Sequence, residues 1–154
     1  MKVKVLSALL LSSTLLFGCA SICHAPWDTA SATSTVEQTK VTLEANMWGN
    51  KMPTIGETAS SAPLHGNLVL TSDKTIPADL AVTAIWVRYA GETFLIDEDA
   101  FDVEAINEKQ WKISFKQDEG YNDSATAADV AVELKGETQK VWLIDQAVDV
   151  DAVY

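Results

Sequence analysis

From Lys40 onward the chain alternates apolar and polar residues with a period of two, the signature of β-strands that keep one face on a core. Val41, Leu43, Ala45 and Met47 alternate with Thr42, Glu44 and Asn46; Leu64, Gly66, Leu68 and Leu70 alternate with His65, Asn67, Val69 and Thr71. Trp111, Ile113 and Phe115 alternate with Lys112, Ser114 and Lys116, and Ala128, Val130, Val132 and Leu134 with Asp129, Ala131, Glu133 and Lys135. Short strands are also expected at Thr93–Ile96, Val141–Ile144 and Val148–Tyr154.

The stretch Leu80–Tyr89 differs, because both of its alternating faces are largely apolar. That pattern predicts a central strand. With Val82, Ala84 and Trp86 assigned to the core, Ile85, Val87 and Tyr89 point outward, where Phe94, Ile96, Trp142 and Ile144 could join them. A sheet oily on both sides is normally covered. The cover is either a segment of the same chain, such as the long connection 48–62, or another protein. Ile85, Val87, Tyr89 and Trp142 are therefore the candidate partner-binding residues.

Turn signals such as Ala90-Gly91 and Gly136-Glu137 separate these strands, and Pro77 forces 72–79 to cross between elements. No amphipathic helix is evident; 97–108 could form at most a turn or two. The expected fold is all-β, an antiparallel immunoglobulin-like β-sandwich of about seven strands over 36–154, with Trp86 as its core tryptophan. The inter-sheet disulfide and tyrosine corner of antibody domains are missing, so the likeness is architectural and carries no function.

Upstream, Lys2 and Lys4 precede an apolar run, Val5 to Phe17, too short to span a membrane and typical of a secretory leader. Its end, Leu16-Phe17-Gly18-Cys19, resembles the lipobox of bacterial lipoproteins, with Phe17 where a small or branched residue is more usual. The resemblance covers the leader alone. It implies a signal peptide over 1–18, cleavage before Cys19, a diacylglycerol on its thiol and usually an acyl chain on its amine. With the neutral Ala20 following, it implies attachment to the outer membrane, facing the periplasm. Cleavage after Ala25, at Cys23-His24-Ala25, is the alternative. Either way the folded part has no internal disulfide. Residues 25–35, rich in Ala, Ser and Thr, complete a flexible tether over 19–35, with the place of Trp27 left open.

The formal charge is −11. Loss of Lys2 and Lys4 with the leader makes it more negative, which argues against nucleic acid; the charge reads first as a solvated acidic face, and it permits cation binding or a basic protein partner without implying either. The chemistry of catalysis is thin. His24 lies in the tether, His65 stands alone, and neither a nucleophile elbow nor a phosphate-cradling loop occurs. Carboxylates are plentiful with none singled out, so no catalytic residue is assigned and the chain reads as a non-enzyme. It also reads as a chain without a cofactor. Two metal alternatives stand beside this reading: Met47, Met52 and His65 for copper, and the acidic run Asp97–Glu104 for calcium. Asp97, Asp99 and Glu108 match positions one, three and twelve of an EF-hand loop, but Phe101 and Asp102 break the pattern. The reading the sequence favours is a non-catalytic envelope lipoprotein that binds another, unidentified envelope protein; the alternative is a metal carrier or sensor.

Overall fold

The computed structural model describes residues 25–53, 55 and 62–154. Nine strands are present among them: β1 (Thr33–Val36), β2 (Thr39–Asn50), β3 (Leu64–Ser72), β4 (Ala81–Tyr89), β5 (Glu92–Ile96), β6 (Phe101–Asn107), β7 (Gln110–Gln117), β8 (Ala127–Lys135) and β9 (Lys140–Val153). One 3₁₀ turn, Glu98–Ala100, precedes β6, and no α-helix occurs among the described residues. The all-β expectation holds. The strands follow one continuous path, β5-β4-β8-β9-β2-β3-β7-β6, with β1 beside β2. The result is a mixed sheet curled into a half-barrel rather than a purely antiparallel arrangement of seven strands.

The mixed character comes from β9. Its first part pairs antiparallel with β8, and Val150–Val153 then run parallel to Met47–Asn50 of β2. The two segments expected at Val141–Ile144 and Val148–Tyr154 are thus one strand that passes from one layer to the other. A bulge opposite Asp129 turns it. Ala147 there has φ +54°, and its N–H donates to Asp129 Oδ1 at 2.9 Å. Asp145 marks the other side of the switch, its Oδ2 accepting the Ala45 N–H at 2.9 Å. Buried polar groups of a strand leaving its neighbour need such partners.

Two hairpins are closed by two-residue loops with both residues at positive φ. Ala90-Gly91 joins β4 to β5, as the glycine signals. Glu37 and Gln38 (φ +46° and +64°) join β1 to β2, an unusual pair for that geometry. Their conformation is held from across the fold. Glu37 Oε1 accepts the Thr138 N–H at 2.9 Å, and the Glu37 N–H donates to Gln139 at 3.0 Å.

The core lies inside the curl. Val41, Leu43, Met47, Leu64, Leu68, Leu70, Ile113 and Phe115 from one side meet Ile85, Val87, Tyr89, Val130, Val132, Leu134 and Leu143 from the other. The parity expected for β2, β3, β7 and β8 holds, as it does for Leu80 and Val82 around the start of β4, and a bulge at Thr83 reverses it for the rest of β4. Ile85 and Val87 are 0% exposed and Tyr89 is buried, all in the central core. Trp86 lies on the opposite face, in a second cluster with Ala25, Ala131 and Ile144. The extra residue at Thr83 shifts the pairing from Val82 opposite Leu134 to Ala84 opposite Glu133, so Val82 and Ile85 both face the core and Trp86 faces away from it. Residues 25–35 are likewise no tether: Ala25 is buried, and Thr33–Val36 pair with Thr39–Thr42.

Candidate functional site

Three places gather candidate groups: the outer face of β4, β8 and β9, the outer face around His65, and the open ends of the sheet. On the first, register sets Leu95, Trp86, Ala131 and Ile144 in one row. Glu133 and Trp142 form a neighbouring pair. Residues 25–31 lie across this face. The Ile144 N–H donates to the Ser31 carbonyl at 2.9 Å, and Gln146 Nε2 donates to the Trp27 carbonyl at 2.7 Å. Trp27, Ala30, Trp86 and Trp142 pack around Ala25, Ala131 and Ile144. Among the described residues the cover is therefore the segment expected to be a tether; of the connection 48–62, residues 54 and 56–61 lie outside the described residues. Of the four expected partner-binding residues, Trp142 alone is on this outer face, half-buried beneath that segment.

Polar groups below this cover are satisfied. Arg88 Nε and Nη2 donate to Asp129 Oδ2 at 2.9 and 2.7 Å. Glu133, buried, accepts the Thr83 hydroxyl at 2.6 Å and pairs with Lys140 at 3.2 Å. Across the molecule, Tyr89 reaches through the core end: its hydroxyl lies 2.6 Å from the Asn122 carbonyl, to which it donates, and accepts the Asn122 N–H at 3.3 Å. Burial pushes this phenol above its ordinary value, and nearby Asp123 adds to the shift against the Asn122 hydrogen bond. Lys51 pairs with Asp123 and lies over the rings of Tyr121 and Tyr154.

His65 stacks on Trp48 with centroids 5.5 Å apart and planes 6° from parallel. Burial and then Lys116 hold its imidazole below the usual value, against Asp118. This pair faces outward, whereas Met47 is fully buried in the core. Met47 and His65 thus project from opposite faces of the sheet, and the copper set cannot converge. The EF-hand match of Asp97 and Glu108 meets a similar obstacle. Asp97 and Glu108 flank β6, a seven-residue strand. An extended strand of that length separates them by roughly 20 Å or more. Among the described residues no group of three or more His, Cys, Asp or Glu is placed to hold a metal.

The ends of the strand path are β5 and β6, joined by 97–100. Among the described residues neither has a second strand beside it, and the half-barrel they form is open there. Where the sequence suggests at most a turn or two over 97–108, the structure has the strand β6. Its register with β7 places Asp102 and Glu104 opposite Ser114 and Lys112 on the outer face. Val103 and Ala105 lie opposite Ile113 and Trp111 on the inner face. Val103 remains 43% exposed and Leu95 of β5 44% exposed. Cys19 and His24 lie outside the described residues.

Comparison with protein families, with characterised proteins and with solved structures finds no match to this chain.

Proposed function

We propose that this chain is a non-catalytic binding module of the bacterial envelope, anchored through lipid on Cys19 to the outer membrane and holding another envelope protein. The observation that carries the binding part is the unclosed sheet: β5 and β6 end the strand path, and apolar side chains remain exposed on both. Monomeric domains usually cap or charge such edges, and exposed edges are where extended partners add. The anchoring part rests on the leader and Cys19.

We further infer an immunoglobulin-like relationship. The order β2-β3-β7-β6 in one layer matches A-B-E-D, and β9-β8-β4 in the other matches G-F-C. The additional β1 and the parallel β2–β9 pairing distinguish it from a constant-type domain.

The test has two arms. Mass spectrometry of the mature protein should find an N-terminal peptide beginning at Cys19 with acyl mass, and Cys19→Ala should release the chain from membranes. Cross-linking in cells from photo-reactive residues at positions 95 and 103 should trap one envelope protein. An unacylated mature chain sinks the anchor, and no adduct from either position sinks the binding role.

A further inference from the structure

We propose that the free edge of β6 takes an extended segment of a basic partner polypeptide as an added strand, one in which apolar residues alternate with lysine or arginine. This rests on the binding-module reading and names the chemistry of the partner.

The alternation follows from β6 itself. Residues directly opposite in adjacent strands share a face. An added strand must present one set of side chains beside Val103 and Ala105, on the face continuous with the core through Phe101, Phe115 and Trp111. It must present the other set beside Asp102 and Glu104. The first set gains by being apolar, because Val103 is incompletely covered. The second gains by being cationic. Neither Asp102 nor Glu104 has an ion pair among the described residues, where the pairs are Lys51–Asp123, Arg88–Asp129, Lys116–Asp118 and Lys140–Glu133. Main-chain groups of β6 pointing away from β7 supply the hydrogen bonds common to all strand addition.

The same geometry rejects a second copy of this chain. Antiparallel pairing of one β6 with another keeps outer face with outer face and brings Asp102 or Glu104 against a carboxylate, whereas parallel pairing through the same edge sets the carboxylates of one copy on the apolar face of the other. The chain's formal charge of −11 opposes self-association more generally. The edge is thus closed to its own kind and open to a basic strand.

The experiment follows hydrogen exchange of 101–107 in the full chain in non-ionic detergent, with the acetylated peptide Lys-Val-Lys-Val-Lys-Val-Lys as probe. The expected result is slowing of β6 amide exchange by about tenfold or more. Methylating alternate peptide amides on one parity should abolish it, and on the other parity preserve it. The double variant Asp102→Lys, Glu104→Lys, on exposed positions and checked for fold by circular dichroism, should lose the protection. Four outcomes overturn the proposal: equal protection by a scrambled peptide of the same composition, protection confined to another strand, no protection, or concentration-dependent protection of β6 without peptide. Cross-linking separates this failure from that of the broader reading. An envelope protein trapped equally by wild type and double variant removes the β6 assignment while leaving the binding module intact.

Discussion

The guanidinium carbon of Arg88 lies 4.7 Å from the centroid of the Trp27 ring, which spreads over it from the segment 25–31. Beneath the ring, Arg88 is held by Asp129, whose other oxygen fixes the bulge at Ala147. One carboxylate thus ties the cover of the outer face to the place where β9 changes layers.

Trp27→Ala should remove the stack and loosen the cover, costing about 1–2 kcal/mol from the lost cation–π contact and apolar burial. Urea unfolding followed by fluorescence checks it. A wild-type midpoint, with no red shift from the remaining tryptophans, contradicts this packing.

Ile85→Asp places an unpaired carboxylate in the core, where Ile85 is fully buried. The expected cost exceeds about 4 kcal/mol. Circular dichroism and thermal melts should find the variant unfolded or severely destabilised; a well-folded Ile85→Asp protein would return this residue to the surface.

Gly66 sits where a Cβ would come within 2.2 Å of the Phe115 ring. Gly66→Ala should therefore destabilise by about 1–3 kcal/mol. Phe115→Leu in the same chain should recover part of that loss, giving a favourable coupling in a double-mutant cycle. Strict additivity of the two changes argues against the contact.

Tyr89 supplies a pH signature. Because its folded phenol is pushed upward mainly by burial, the folded state holds the proton after the unfolded chain has lost it. The stability from the protonated, hydrogen-bonded phenol is complete below the unfolded value, about 10. It is lost as pH rises from there through the raised folded value. Tyr89→Phe should cost about 1–2 kcal/mol near neutrality, since it strips the Asn122 carbonyl of its donor. It should also flatten the alkaline fall. Identical alkaline slopes for wild type and variant would refute the assignment.

Much of this fold was legible in period-two alternation. Strands β2, β3, β7 and β8 have one oily face, and the sequence gives both their place and their parity. The facing of β4 beyond Val82 was not legible: the bulge at Thr83 turns Ile85, Val87 and Tyr89 inward and leaves Trp86 under a second layer of cover. That cover was hidden in a stretch of Ala, Ser and Thr whose burial depends on Trp27 meeting Arg88. The strand β1 was missed because Glu37-Gln38 adopts a glycine-like turn under tertiary restraint, and β6 because its acidic residues mask a strand with only one weakly apolar side. At the candidate site, Trp142 kept its outward place, whereas Ile85, Val87 and Tyr89 moved to the interior together, as a parity reversal requires.

The docking of Ala25 onto the second layer also sets a length. Six residue steps separate Cys19 from Ala25. Drawn straight they reach about 20 Å, less than the roughly 30 Å breadth of a domain this size. Under the proposed anchor on Cys19, a body moored on so short a line would stay beside the bilayer, and its catch would have to come to the membrane surface rather than be fished from the depth of the periplasm.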